Sequence, residues 1–393
     1  LGFRKVMTSW ESHADAKYKV ILIKYGYDSV MRFLAAKAQS LLLIVISIAL
    51  ALGVVELTYR SIYSGQVNTN SGKSNRYMLF GTSSGGSAFQ NLDTIFTYKP
   101  NALIHAEAFY DIKNTLLKEY DYQFKTNNLG LVQGQDVDLN KDSILLLGDS
   151  FTEGQGASPW FERLVQTKQN GLQLINGGLL GTGFEQWGLL HDHLIKAGVK
   201  VKKVAVIFIS DDYRRTVWNF PAKVTACLSK IENCIGDEGY FPIPSDQELM
   251  PFLQKLKDFR TKEYAIKDAR QSEKWIRRYL SSAHHAWEFT KEYFQNHFRS
   301  KSPEVIERLK KIYGDDVIYI HLPTKDEILA GNQPDDLGLL ARERIRQQGG
   351  KVFDGFTQCG LNAADFYQSD PHPNESGYAK IEQCVSRALV ALQ

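Results

Sequence analysis

Ser150 sits in Gly148-Asp149-Ser150, directly after the apolar run Ser143 to Leu147. A short continuous apolar run closed at once by turn residues reads as a buried strand. A serine on the tight turn that follows is exposed at the mouth of a site, close to free backbone N–H groups that can hold a developing oxyanion. Its hydroxyl is a poor nucleophile until a neighbouring base takes the proton. A base and a carboxylate occur together near the other end of the chain, in Asp370-Pro371-His372-Pro373-Asn374. His372 could remove the Ser150 proton, and Asp370 could fix the imidazole tautomer and stabilise the imidazolium. The competing reading makes His372 a turn residue, with Asp370 capping a helix that starts near Asn374.

Chemistry between residues so far apart needs a scaffold that brings them to one edge. From residue 143 onward, strand and helix patterns alternate. Strands are expected at Ser143 to Leu147, Leu172 to Ile175, Val204 to Ile209, Val317 to Ile320 and Val352 to Phe353. Helices are expected at Trp160 to Thr167, Phe184 to Ala197 and Asn374 to Leu392. Such alternation argues an α/β fold, a parallel sheet with helices on both faces, whose site lies outside the carboxyl ends of the strands. Ser150, the glycine loop Gly177 to Gly183, Ser210 to Asp212 and the residues after Val352 all fall at such ends. Residues 88–140 are expected to form short strands that lead in to this domain. Residues 222–310 interrupt the alternation and read as a helical insertion, with Trp275, Tyr279, Trp287, Tyr293 and Phe294 as packing residues.

At 393 residues and 43% apolar content the chain can bury a large core, and a net charge of +3 with mixed signs leaves no nucleic-acid footprint. The first residue is Leu1, as an alternative start or a longer chain would give. Residues 1–37 carry seven Lys/Arg against three acids, and Ala38 to Val55 then runs eighteen residues without a charge. This predicts a basic cytoplasmic tail (1–37) and a transmembrane helix (38–57), with the rest of the chain outside. A cleaved signal peptide is the lesser reading, on the strength of Ala49-Leu50-Ala51. Residues 58–87, rich in Ser, Gly and Asn, read as a linker to a domain over 88–393.

All four cysteines follow the apolar segment. Cys227 and Cys234 bracket a short loop, and Cys359 and Cys384 flank the segment with Asp370 and His372. Either pair could close as a disulfide in an oxidising compartment. No spacing among them suggests zinc. His191 and His193, like His284 and His285, are one or two apart in helical stretches and do not share a face, so metal binding is not expected there. His321 ends a strand on the presumed active edge and reads as core ahead of substrate contact. Arg214 and Arg215 lie near the same edge and read as a solvated pair ahead of contacts to an anionic or sugar-bearing substrate.

Taken together, residues 125–393 resemble the SGNH (GDSL-type) hydrolase family. Gly148-Asp149-Ser150 is similar to its first block, which implies Ser150 as nucleophile. The loop after the second strand is similar to its second block and implies the Gly181 N–H as an oxyanion donor. Asp370 to Asn374 resembles its last block and implies His372 as base and Asp370 as its orienting carboxylate. The resemblance implies a three-layer, flavodoxin-like fold and ester chemistry with no metal or organic cofactor. Two positions depart from the pattern. The third block has an asparagine where this chain has Asp211, within Ser210-Asp211-Asp212. An ionised carboxylate is acceptor-only, so Asp211 is protonated, or the hole relies on the N–H groups of Ser150 and Gly181, or activity is low. The Asp-x-His spacing is also one residue shorter than the common Asp-x-x-His. The expected function is a membrane-anchored, periplasmic-side serine esterase acting on O-acyl, chiefly acetyl, esters of cell-surface carbohydrate. Its rivals are an O-acyltransferase working with a membrane-bound acyl donor and a silent carbohydrate-binding scaffold.

Overall fold

The computed structural model describes residues 37–59, 61, 76–166, 171–272, 281–294 and 300–392. The basic tail before residue 37, residues 62–75 of the expected linker, and Trp275 and Tyr279 lie outside them. Two compact units form: residues 1–71 with 271–288, and residues 72–270 with 289–393. In the first, a helix over Lys37–Tyr59, with a mean hydropathy of 2.6, is long and apolar enough to cross a membrane. Its buried Glu56 accepts the Ser282 backbone N–H at 2.9 Å.

The second unit carries the strands, in chain order β1 (Arg76–Thr82), β2 (Phe89–Leu92), β3 (Ile95–Tyr98), β4 (Leu103–Ile112), β5 (Thr115–Lys125), β6 (Asp142–Gly148), β7 (Gln173–Gly178), β8 (Lys200–Phe208), β9 (Tyr240–Pro242), β10 (Val317–His321) and β11 (Lys351–Asp354). The central sheet has the order β11-β10-β8-β6-β7, and every pairing in it is parallel. Counted along the chain this is 2-1-3-4-5, the flavodoxin-like winding, with its switch point between β6 and β8. The α/β architecture expected from the alternating pattern is the one observed.

Successive strand residues point to opposite faces, so β6 and β10, buried on both sides, read as unbroken apolar runs. On one face Leu145, Leu147, Val204, Val206 and Tyr319 meet the helices Phe184–Lys196, Ser302–Tyr313 and Asp336–Gln347. On the other, Ile144, Leu146, Ala205, Ile207, Ile318 and Ile320 meet Phe161–Val165 and Glu375–Val390.

The segment before residue 140 is more than a lead-in. A second sheet, ordered β5-β4-β1-β9, packs the inner residues Ile104, Ala106, Ala108 and Tyr110 of β4 into the first of these cores. Strand β1 lies within this sheet, paired to β4 antiparallel and to β9 parallel, so Arg76–Thr82 is already part of the folded domain and the linker does not extend to residue 87. Serine and glycine around these strands obscure that start, whereas Tyr77, Met78, Leu79 and Phe80 are all buried. The expected insertion over 222–310 is likewise narrower. Tyr240–Pro242 completes the second sheet, and Ser302–Tyr313 covers the parallel sheet through Val305, Ile306 and Leu309. Trp287, Tyr293 and Phe294, expected to pack, are exposed.

Candidate active site

Strand β6 stops at Gly148 for a steric reason. A Cβ there would lie 1.8 Å from Thr152 Oγ1 and 2.7 Å from the Ile207 carbonyl, so only glycine lets the chain double back this tightly. Asp149, in extended conformation, caps the one-turn helix Ser150–Glu153 by accepting the Phe151 N–H at 2.9 Å. Ser150 is thereby fixed at the first helical position beside the carboxyl end of the sheet.

His372 arrives from the far end of the chain. Its Nε2 lies 2.8 Å from Ser150 Oγ, and its Nδ1 is hydrogen-bonded to Asp370 Oδ1. The one-residue spacing suffices because Asp370 Oδ1 also accepts the His372 backbone N–H at 2.8 Å, which folds the three residues into a closed turn. Asn374, not Asp370, caps the helix Glu375–Val390. The carboxylate is 1% exposed. Burial alone would raise its pKa, yet the His372 charge and hydrogen bond, Arg76 and the Tyr110 hydroxyl together hold it well below the usual carboxylate range. An ionised Asp370 keeps the Nδ1 proton, so Nε2 is left to accept from the Ser150 hydroxyl.

The loop after β7 supplies the facing wall. Gly181 has φ +67, a left-handed conformation suited to glycine, and the Trp218 indole N–H donates to its carbonyl at 3.0 Å. Among the described residues, neither the Ser150 nor the Gly181 backbone N–H has a protein acceptor. Asp211 takes a different place from that expected of an oxyanion donor. Its carboxylate receives Arg214 Nε at 2.6 Å and Arg215 Nε at 3.2 Å, and its side chain is 41% exposed. A carboxylate so paired has no hydrogen to offer an oxyanion.

Arg215 is no solvated residue. It donates to Asp149 Oδ2 at 2.9 Å and to the Thr182 carbonyl at 3.1 Å, and pairs with the buried Asp212 at 2.5 Å. Burial opposes its charge, but Asp212, Asp149 and Asp211 more than offset this and keep it ionised. Beneath Ser150, the fully buried Glu153 accepts from the Tyr98 hydroxyl at 2.7 Å, and burial pushes its pKa up to about 8.

His321 belongs to a different network. It is fully buried, stacked on Phe208 at 4.3 Å, with Nε2 3.1 Å from Ser210 Oγ and Nδ1 accepting from Arg342 Nε at 2.6 Å. Ser210 in turn donates to Glu327 at 2.5 Å. This second Ser–His–carboxylate set is sealed in the core, and burial followed by the Arg342 charge keeps the imidazole neutral. His191 bonds to Tyr313 and Asp192 rather than to a metal partner. Among the described residues, His105, Glu107 and Asp121 bring ligand atoms within 4.8 Å of one another. The Lys118 ammonium already lies 3.2 Å from Glu107 and 2.9 Å from Asp121 there, so their charge is met without a metal. Both cysteine pairs, Cys227–Cys234 and Cys359–Cys384, are disulfide-bonded.

Residues around Asp370 escaped the sequence reading. Tyr110, Tyr120 and Arg76 reach its second oxygen from the antiparallel sheet. The aromatic-rich Tyr120-Asp121-Tyr122 belongs to the stretch expected only as short lead-in strands, and nothing in its spacing points to Asp370.

No protein-family model matches the chain, and no curated protein sequence matches it significantly. Among solved structures it is similar to a member of the lipolytic protein G-D-S-L family from Veillonella parvula DSM 2008, with 12% identity, a TM-score of 0.31, and coverage of 63% of this chain and 98% of that one. A protein from Lactobacillus plantarum is similar at 12% identity and a TM-score of 0.31, over 64% of this chain and 97% of its own. Likeness at this level says nothing about chemistry, which rests on the site itself.

Proposed function

We propose that the chain is a serine hydrolase of the SGNH (GDSL) type, acting on O-acyl esters through an acyl-enzyme on Ser150. The observation that carries this reading is the continuous hydrogen-bonded line from Ser150 Oγ through His372 to the buried Asp370. His372 Nε2 takes the Ser150 proton as Oγ attacks the ester carbonyl, and the N–H groups of Ser150 and Gly181 receive the oxyanion. On collapse the C–O bond breaks and His372 returns that proton to the leaving alcohol. Water, deprotonated by His372, then attacks the acyl-enzyme, releasing the acid and regenerating Ser150. A small acyl group such as acetyl, carried on cell-surface carbohydrate, is the substrate we assign. Two disulfides favour an oxidising compartment, and the Lys37–Tyr59 helix would tether the domain on the periplasmic side of a bacterial inner membrane. A sugar hydroxyl in place of water would make the same intermediate an O-acyl transfer, with a membrane-bound partner as acyl donor.

The test is labelling of the detergent-solubilised chain by a fluorophosphonate probe, alongside Ser150→Ala and His372→Ala. Labelling of the wild type that is lost in both variants supports the reading. A folded wild type that fails to label refutes it and leaves a carbohydrate-binding scaffold.

A further inference from the structure

We infer that Tyr110 and Tyr120 are positioning residues of the reaction, through which the antiparallel sheet completes the Ser150–His372–Asp370 relay by holding the outer oxygen of Asp370. This rests on the hydrolase reading above. Asp370 Oδ1 is committed to His372, to both its ring and its backbone N–H. Its Oδ2 accepts the Tyr110 hydroxyl from β4 and the Tyr120 hydroxyl, at 3.2 Å, from β5. Arg76, the first residue of β1, stands 3.8 Å from the same oxygen. Three adjacent strands thus converge on one carboxylate oxygen that water cannot reach.

Tyr120 does more than donate. Its hydroxyl accepts the Gln155 side-chain amide at 2.7 Å, and the Gln155 carbonyl accepts the Tyr378 hydroxyl at 2.8 Å. Gln155 follows the helix that opens with Ser150, and its own N–H bonds back to the Ser150 carbonyl at 3.0 Å. A single phenol therefore ties the nucleophile's turn to the carboxylate end of the relay. Burial, and then the Asp370 charge, keep Tyr120 protonated; the same two causes act on Tyr110, so both remain donors at any working pH.

The groups facing Asp370 are His372 from its own loop, Arg76, Tyr110 and Tyr120; Tyr122, Tyr367 and Tyr378 act on it from farther out. Removing the two hydroxyls leaves the Asp370 charge less dispersed, so the relay holds its proton more tightly and the acid limb of the kcat/KM profile should move to higher pH.

The experiment measures p-nitrophenyl acetate hydrolysis by the full detergent-solubilised chain across the pH range, for wild type, Tyr110→Phe, Tyr120→Phe and the double variant. In the double variant kcat should fall roughly tenfold with KM little changed, and the acid limb should rise by about half a unit. The single variants, each lacking one hydroxyl, keep the test readable should the double variant fold poorly, with smaller shifts in the same direction. A limb that stays in place, whether activity is retained or falls together with thermal stability, reduces the tyrosines to packing and overturns the inference. If the wild type neither hydrolyses the ester nor reacts with the fluorophosphonate, the hydrolase reading fails, and this inference falls with it.

Discussion

Arg215 Nη1 lies 2.9 Å from Asp149 Oδ2, which joins the turn after β8 to the residue immediately before Ser150. The same guanidinium neutralises Asp212, which is wholly buried, and holds the Thr182 carbonyl on the glycine loop. Three loops from three parallel strands are pinned by one side chain. Arg215→Ala removes one partner of a buried pair and leaves the other uncompensated, a loss on the order of 3 kcal/mol. Urea unfolding should show that loss, while Arg214→Ala, whose partner Asp211 is 41% exposed, should change stability by less than about 0.5 kcal/mol. Equal effects from the two variants would mean that Arg215 does not organise the site.

Asp211→Asn separates two explanations for the unusual third block. Were residue 211 an oxyanion donor, restoring the amide would raise kcat on the order of 10²–10³. Its carboxylate is instead paired outward to Arg214 and Arg215. The expected outcome is a change in ester hydrolysis of less than about threefold, since no transition-state contact is gained. A hundredfold gain would place residue 211 in the hole.

The parallel sheet was legible because burial on both faces leaves unbroken runs such as Ile144 to Leu147, each ended by turn residues. The meeting of Ser150 with His372 was legible for a related reason, since both follow elements that deliver their ends to one sheet edge. What could not be read was the antiparallel sheet. Short strands were expected over residues 88–140, but the sheet also takes β1, which emerges from a Ser/Gly-rich stretch that by composition resembles a linker, and β9, a three-residue strand inside the expected insertion. The phenols on Asp370 were hidden for a third reason. A hydrogen bond across 260 positions of sequence, as between Tyr110 and Asp370, leaves no local spacing to detect. Asp211 misled because block position suggests a role, whereas the two arginines that follow it decide where its side chain goes.

The Cys359–Cys384 bridge closes a loop of sequence separation 25 that contains Asp370 and His372; Cys384 lies in the helix Glu375–Val390, and both cysteines are buried. Cys227–Cys234 closes a separation of only 7. Chain-entropy reasoning assigns about 3.5 kcal/mol to the longer loop and about 2.4 kcal/mol to the shorter. Replacing Cys359 and Cys384 by alanine should therefore lower the urea midpoint more than replacing Cys227 and Cys234. The rate of fluorophosphonate labelling should also drop only in the first case, because only that bridge braces the histidine loop. A reversed order of the two effects would show that the loop is held by its other bonds, including those from Lys325 Nζ to the Tyr367 and Gln368 carbonyls at 2.7 and 2.8 Å.

Glu153 gives the fold a pH dependence of definite sign. Burial raises its pKa from 4.5 in the unfolded chain to about 8 in the folded one, so between these values the native state binds the additional proton. Its stabilising contribution is complete below the unfolded pKa and is lost as pH rises through the folded one, with a slope of up to about 1.4 kcal/mol per pH unit. Asp370 is shifted the other way; its contribution is present above its unfolded pKa and fades only under more acid conditions, outside this window. The buried, neutral His321 acts with the opposite sign below the unfolded histidine pKa, so wild-type stability should decline between about pH 7 and about pH 8, where Glu153 acts alone of the two. Glu153→Gln keeps an acceptor for the Tyr98 hydroxyl but cannot ionise, so its stability should fall less steeply over the same range. Urea unfolding of both proteins at several pH values measures the two slopes. Parallel slopes would mean that Glu153 is already ionised in the native state and that another group carries the dependence.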